Sequence, residues 1–176
     1  MEKGFTHLYF GNGKGKTTMA MGLSLRALGN GLRVEIYQFL KGAPSGERIA
    51  LKQFPNASVF CPEGACEGFL WNMDGAQRER FLAAQRELLG RAADAVRSGQ
   101  ADLIVLDEAL RLPDVGAVSW EEISRLMDTK SDQTELVLTG GSCPDTLIRK
   151  ADYATELIKR AHPYDRGEIA RRGIEY

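Results

Sequence analysis

Short apolar runs of strand length alternate along the chain with stretches of helical character. The runs predicted as strands are residues 8–10, 34–39, 59–60, 103–106, 136–139 and 154–158. The clearest helical period covers residues 76–98, where Phe81, Leu88 and Val96 fall near one stripe. Strands that alternate with helices predict an α/β fold with a mainly parallel sheet flanked by helices.

Other helices are indicated by local start signals and by apolar content. The run 19–28 predicts a helix directly after a glycine-rich turn. Ser119 and Glu122 form a capping-box pattern that predicts a helix ending near Met127, and residues 142–145 predict a further helix start. The segments predicted as loops or irregular chain are 41–47, 61–75 and 162–176.

The ends of the predicted strands indicate where a site should form. In open parallel sheets, ligands bind in the crevice outside the carboxyl ends of the strands. The strand ends at Phe10, Phe39, Leu106 and Thr139 should therefore carry loops that converge on one site.

The segment Gly11–Thr18, between the first strand and the first helix, carries the clearest chemical signal. Its residues are Gly11, Asn12, Gly13, Lys14, Gly15, Lys16, Thr17 and Thr18. Glycines allow a tight turn whose N–H groups point at an anion, and the following helix adds its positive N-terminal end. This order of elements predicts a phosphate-binding loop, in which Lys16 contacts phosphate and the hydroxyl of Thr17 can bind Mg²⁺.

The glycine spacing of this loop departs from the usual phosphate-loop pattern. Phe10 stands where that pattern has its first glycine, and Gly11 follows one position later. An ordinary glycine-rich turn is the alternative interpretation. The spacing indicates that phosphates could sit differently here from those in common ATPases.

Asp107 and Glu108 follow the apolar run 103–106 and form an acidic pair at a strand end. Downstream of a phosphate loop, such a pair is typical of the magnesium side of a nucleotide site. The alternative is a strand-end acid that faces water.

Bulk properties narrow the class of protein. A chain of 176 residues fits a single domain, residues 1–176, and a net charge of −1 favours neither nucleic acid nor an acidic membrane as a partner. No apolar run reaches the length of a membrane-spanning helix, and the chain enters its first strand too early for a signal peptide, so a cytoplasmic location is expected. The cysteines Cys61, Cys66 and Cys143 are expected as free thiols rather than as a disulfide or zinc site.

Several segments resemble one family in order along nearly the whole chain. They are Gly11–Thr18, Gln38–Gly42, Gly46–Arg48, Gly68–Trp71, Val105–Glu108, Leu138–Gly140, His162–Gly167 and Ala170–Tyr176. Together they are similar to the ATP:cob(I)alamin adenosyltransferases of the P-loop type. The resemblance implies a P-loop NTPase-like (RecA-like) fold and an enzyme that moves the 5′-deoxyadenosyl group of ATP to the cobalt of a reduced corrinoid, releasing triphosphate.

The resemblance also implies roles for particular residues. Lys16 would stabilise the triphosphate, Thr17 and Glu108 with Asp107 would bind Mg²⁺, and Gly11–Thr18 would bind ATP. Phe69 and Trp71 would press on the lower face of the corrinoid and keep its axial base away. From composition alone, these two aromatic residues could equally fill the edge of the core. Family precedent favours a homodimer, and a flavoprotein is a candidate electron donor.

Some positions differ from the family pattern. Leu110-Arg111 stands where Asn-Tyr or Thr-Tyr often follows the acidic pair, and Gly141 stands where arginine is usual. Ala161 replaces a frequent lysine, and Phe10 replaces a small residue. Two alternatives stay open: a kinase or ATPase that releases ADP, and a protein that binds the nucleotide or corrinoid without turnover.

Overall fold

The computed structural model describes residues 2–41, 45–62 and 73–175. The strands are β1 (Thr6–Phe10), β2 (Val34–Gln38), β3 (Ala57–Phe60), β4 (Leu103–Asp107), β5 (Glu135–Thr139) and β6 (Tyr153–Glu156). Within the described residues they form a six-stranded sheet in the order β3-β2-β4-β5-β1-β6, and all its pairings are parallel. The predicted α/β fold is confirmed, and its arrangement is that of a P-loop NTPase-like protein.

Helices cover both faces of the sheet. They are α1 (Lys16–Gly29), α2 (Gly46–Leu51), α3 (Gly75–Ser98), α4 (Trp120–Asp128) and α5 (Asp145–Ile148). Side chains of α1 and α2 pack with one face of the strands, and those of α3, α4 and α5 pack with the other. The two resulting apolar clusters bury both faces of β4, which is why that strand reads as an unbroken apolar run.

Local chemistry explains the helix boundaries. At α3, the Asp74 side chain accepts from the Gln77 N–H while the Gln77 side chain accepts from the Asp74 N–H, which satisfies both donors. The predicted capping box at Ser119 and Glu122 is confirmed at the start of α4. Gly99 ends α3 in the left-handed conformation, with a φ of 66°.

One loop assignment from the sequence was wrong at its end. Residues 41–47 were predicted as loop, but α2 begins at Gly46. The helix forms because Leu51 is buried in the core and Ile49 N–H bonds to the Ser45 carbonyl. Tertiary burial therefore overrides the Gly/Pro/Ser composition at this point.

The edge strand β6 differs from the central strands. All of its residues are exposed, and it pairs with β1 alone among the described strands. It was predicted to run to Ile158, but the chain leaves the sheet after Glu156.

Of the helices in the described part of the chain, none combines the length and apolar character needed to cross a membrane.

Candidate active site

The predicted phosphate loop turns from β1 into α1 at the carboxyl edge of the sheet. Gly15 holds the position before the first helical residue with a φ of 112°, and no side chain caps the helix there. The first N–H groups of a helix have no intrahelical acceptor, so an uncapped start offers them to a ligand. The loop therefore presents the helix end that an anion would bind.

Neighbouring backbone holds the first half of this loop. Gly11 N–H donates to the Gly141 carbonyl at 2.8 Å, and Gly13 N–H donates to the Leu157 carbonyl at 2.7 Å. A Cβ on Gly11 would lie 2.4 Å from the Leu157 oxygen, and one on Gly13 would lie 2.8 Å from it. These glycines thus allow close packing with the chain after β6. Their N–H groups bond to protein, which differs from the expectation that the loop's N–H groups face an anion.

The two lysines of the loop point to different partners. The Lys16 ammonium folds back and donates to the Gly13 carbonyl at 2.7 Å. The Lys14 ammonium instead lies 2.9 Å from a carboxylate oxygen of Glu175. Hydrogen bonds to the Glu175 carboxylate hold its pKa below its usual range; the bond from Arg171 has the larger effect and the bond from Lys14 the smaller. The Lys16 side chain therefore points to the interior of the loop. The Lys14 side chain points to residues 159–175, the C-terminal segment.

Asp107 is the centre of a buried polar cluster at the end of β4. Its side chain has no exposed surface. One carboxylate oxygen accepts from the hydroxyls of Thr17 and Thr139, both at 2.8 Å. The other accepts from Gln38 at 3.3 Å and from the Lys41 ammonium at 2.9 Å. The carboxylate is thus saturated with donors, and it ties the ends of β2, β4 and β5 to the first turn of α1.

Lys41, Thr139 and Gln38 were not assigned a role from the sequence. Gln38 and Lys41 appeared only within a matching segment, and Thr139 only as a strand end. The detectable signal was their place at strand ends that the parallel order brings together. Their shared acceptor, Asp107, could be known only from the order and register of β2, β4 and β5.

Glu108 has a different environment from Asp107. Its φ is 64°, a left-handed conformation that is uncommon outside glycine, and its N–H donates to the Thr139 hydroxyl at 2.9 Å. Its Oε2 is buried without a hydrogen-bond partner among the described residues. An Arg111 nitrogen lies 3.6 Å from that oxygen, too far for a hydrogen bond. Glu108 therefore keeps an oxygen that could bind a cation.

Leu40, two residues after the end of β2, is a second residue with left-handed backbone. Its φ is 57°, and its N–H donates to the Oε1 of the buried Gln85 at 3.0 Å. The next residue in the chain is Lys41, whose ammonium donates to the Asp107 carboxylate. Strained backbone of this kind persists where surrounding contacts fix it, and both examples adjoin the candidate site.

A cavity of about 460 Å³ opens beside the phosphate loop. Its size is within the range of small-molecule sites. It is lined by Gly11, Asn12, Lys16, Glu108, Arg111, Asp114, Gly141 and Ser142. Of the four loops predicted to converge, those after β1, β4 and β5 line this cavity, and two cations and two carboxylates face the same space.

Two predicted site residues lie outside the described part of the chain. Phe69 and Trp71 fall in the gap between residues 62 and 73, as does Cys66.

The described thiols, Cys61 and Cys143, are free, and burial raises the pKa of Cys143 to about 11. Across residues 2–41, 45–62 and 73–175, no cluster of three or more His, Cys, Asp or Glu residues could hold a metal.

Comparison with known proteins identifies relatives along the whole chain. The sequence profile of the family described as ATP:corrinoid adenosyltransferase BtuR/CobO/CobP matches residues 2–176. The chain is 34% identical to the corrinoid adenosyltransferase of Escherichia coli (strain K12), over 99% of this chain and 87% of that protein. It is 32% identical to that of Salmonella typhimurium (strain LT2), with the same coverage. For that of Pseudomonas aeruginosa the identity is 31%, over 99% and 85% of the two chains. Together with the phosphate loop, the acidic pair and the parallel sheet, these matches show that the chain belongs to the ATP:corrinoid adenosyltransferase family.

Proposed function

We propose that this enzyme transfers the 5′-deoxyadenosyl group of ATP to the cobalt of a reduced corrinoid. Cobalt(I) attacks the 5′ carbon with its electron pair, and a cobalt–carbon bond forms. The bond between that carbon and the α-phosphate oxygen breaks, and its electron pair leaves with triphosphate. The observation that carries the proposal is the cavity beside the phosphate loop, in a chain whose family match spans residues 2–176.

In this proposal the phosphate loop holds the leaving group. Lys16, which lines the cavity, and the N–H groups at the uncapped start of α1 would bind phosphate oxygens through charge-assisted hydrogen bonds, which are strong. On ATP binding, the Lys16 ammonium would exchange its bond to the Gly13 carbonyl for bonds to phosphate. Stabilising the charge that develops on triphosphate lowers the barrier without any covalent step by the protein.

Mg²⁺ fits the oxygen atoms that the site offers. The Thr17 hydroxyl donates a hydrogen bond to Asp107, which leaves the lone pairs of the hydroxyl oxygen available to a cation. Glu108 supplies the buried oxygen that has no hydrogen-bond partner among the described residues. We therefore assign Thr17 and Glu108 as the ligands and Asp107 as the residue that orients Thr17. Bound Mg²⁺ would neutralise phosphate charge, and it commonly uses few protein ligands.

The products of the reaction test the proposal directly. The enzyme is incubated with ATP, Mg²⁺ and chemically reduced cobalamin, and the products are separated by ion chromatography while the absorbance spectrum follows adenosylcobalamin. Triphosphate and adenosylcobalamin in a one-to-one ratio are expected. ADP formed regardless of the corrinoid would reject the proposal in favour of a kinase or ATPase, and binding without products would favour a non-catalytic protein.

We also propose that Phe69 and Trp71 act on the corrinoid and leave ATP binding unchanged. Large apolar rings can exclude water and the axial base from the lower face of the corrinoid, which makes cobalt easier to reduce. Trp71→Ala should impair the reaction that starts from cobalt(II) while the Kd for ATP is retained. Activity should largely return when cobalt(I) is prepared beforehand. An equal loss in both assays would mean that the ring has a structural role.

A homodimer and a flavoprotein electron donor complete the proposal, in a cytoplasmic setting where ATP is available. Exposed apolar side chains on the C-terminal segment, including Tyr164, Ile169 and Ile174, are compatible with a subunit contact. Light scattering on the purified protein would give the oligomeric state. Comparing a reduced flavodoxin with free reduced flavin as electron source would test for a specific donor.

A further inference from the structure

Arg111 occupies a fixed place at the edge of the candidate active site. It ends a 3₁₀ turn, Ala109–Arg111, that begins directly after Glu108. Leu110 and Leu112, on either side of it, are completely buried. These neighbours anchor the backbone, while the Arg111 side chain stays about half exposed, at 54%, and lines the cavity.

The stem of Arg111 runs across the glycines that follow β5. A Cβ on Gly140 would lie 2.6 Å from the Leu110 Cβ, so the two segments meet through backbone there. Beside it, Cγ and Cδ of Arg111 would lie 3.9 and 4.0 Å from a Cβ on Gly141, which is ordinary contact distance. The Gly141 carbonyl in turn accepts from Gly11 in the phosphate loop. Arg111 therefore runs beside the backbone that supports this loop, with space for a Cβ between its stem and Gly141.

Sheet order places Arg111 and Lys16 on two sides of one cleft. Lys16 follows β1 and Arg111 follows β4, and these strands lie on opposite sides of β5 in the sheet. Both side chains line the same cavity. A polyphosphate chain lying over the end of β5 would therefore have an ammonium on one side and a guanidinium on the other.

The guanidinium is not committed to a strong internal partner in the described part of the chain. Its ion pair with Glu108 is 3.6 Å long, beyond hydrogen-bond distance. A planar guanidinium favours bidentate contact with phosphate, for which its geometry is suited. If Glu108 binds a cation, its weak attraction for Arg111 is reduced further, and the guanidinium can turn to a phosphate oxygen.

We propose that Arg111 binds the phosphate chain of ATP, opposite Lys16, and stays on the triphosphate as it leaves. This inference rests on the proposed function, since it assigns one more residue to the same nucleotide. It makes Arg111 a substrate-contacting residue whose effect is on phosphate binding rather than on the corrinoid.

The test measures Kd values of ATP and of inorganic triphosphate by calorimetry, in Mg²⁺ and again in EDTA. Arg111→Ala should weaken both ligands by at least about tenfold in Mg²⁺, because a charge-assisted contact is lost. Arg111→Lys keeps the positive charge but lacks the planar guanidinium. Its Kd for each ligand should lie between those of the unaltered enzyme and Arg111→Ala. Arg149→Ala, which removes an exposed arginine directly after α5 and outside the cavity, should leave both Kd values unchanged.

The EDTA arm separates direct contact from an effect through Glu108. A direct phosphate contact must persist without Mg²⁺, so triphosphate binding by Arg111→Ala should again be weaker than that of the unaltered enzyme. A defect seen only with Mg²⁺ would overturn the proposal, because Arg111 would then act by orienting a metal ligand. Unchanged Kd values with a raised KM for the corrinoid would also overturn it.

Lys16→Ala distinguishes failure of this inference from failure of the proposed function. If Lys16→Ala weakens triphosphate binding and Arg111→Ala does not, the loop binds phosphate and the inference about Arg111 alone is wrong. If Lys16→Ala has no effect either, the phosphate site itself is misassigned. Parallel losses in the two variants, with unchanged thermal unfolding, support the inference.

Discussion

The phosphate loop is held by two regions of very different character. On one side, the cluster around Asp107 is buried and its carboxylate oxygens are fully hydrogen-bonded. On the other side, the C-terminal segment, residues 159–175, reaches the loop through surface contacts such as Lys14 with Glu175. The Lys14 side chain remains 47% exposed in that pair. The loop is therefore supported on one side by contacts that are shielded from water and on the other by contacts that are exposed to water.

The difference teaches which contacts should change during turnover. Exposed ion pairs contribute about 0–1 kcal/mol and weaken with salt, whereas breaking a buried pair by removing one partner costs several-fold more. The Asp107 cluster is suited to keep the strand ends in register with and without ligand. The C-terminal contact can be broken at little cost, since Lys14 and Glu175 form an exposed ion pair.

The largest effect is expected for Asp107→Asn. The amide nitrogen would face the donor groups of Gln38 or Lys41, and the Lys41 ammonium would lose its counter-charge. We expect the free energy of unfolding to fall by about 1–3 kcal/mol, with loss of adenosylation, because donors are left unsatisfied. Urea unfolding gives the first quantity. Asp128→Asn, which breaks the exposed Lys150 pair, is the matched control and should change stability by under about 1 kcal/mol. Equal effects would contradict the contrast between buried and exposed supports.

An effect on metal dependence without loss of stability is expected for Glu108→Ala. The buried oxygen of Glu108 contributes no hydrogen bond within the described residues, so its removal should hardly alter unfolding. The Mg²⁺ concentration for half-maximal rate should rise by at least about tenfold, as expected when a metal contact is lost. Glu79→Ala, on the exposed face of α3, is the control. If Glu108→Ala needs the same Mg²⁺ concentration as the unaltered enzyme, Glu108 is not a ligand and Asp107 is the candidate instead.

The smallest effect is expected for Glu175→Gln. Its pKa is lowered by Arg171 and Lys14, so the carboxylate stays charged through mildly acidic pH, and the contact is lost only as pH falls through that lowered pKa. Removing the charge should speed amide exchange in residues 159–175 while the Kd for ATP changes by less than about twofold. A large loss of ATP affinity would mean that the C-terminal segment is an essential support of the loop.

The sequence predicted the positions of strands more fully than the contacts of the site. Buried parallel strands such as β4 are near-continuous apolar runs, and the capping box at Ser119 is a local signal, so both could be read directly. Convergence at the carboxyl edge followed from the parallel arrangement. The end of the loop at Gly46 was misassigned because α2 depends on burial of Leu51, which is a tertiary effect.

The cluster itself required pairings that no local pattern encodes. Thr17 and Asp107 were both candidates for Mg²⁺, but their direct hydrogen bond joins residues far apart in the chain. The contribution of Lys41 depends on the left-handed backbone of Leu40, which composition does not indicate. Arg111 was seen only as a departure from the family pattern until its position beside Gly141 and in the cavity lining was known.

The position of β1 inside the sheet has a consequence for how the chain is made. The strand that carries the phosphate loop is synthesised well before its neighbours in the sheet, since Thr6 pairs with Leu136 and His7 with Tyr153. Until those late strands leave the ribosome, both edges of β1 lack their partners, and Gly13 lacks the Leu157 carbonyl that shapes the loop. Such non-local pairing slows folding and leaves strand edges exposed to aggregation. A nascent chain truncated before β5 therefore lacks the partners that shape the nucleotide site, and ligand can stabilise this domain only once β5 and β6 have been made.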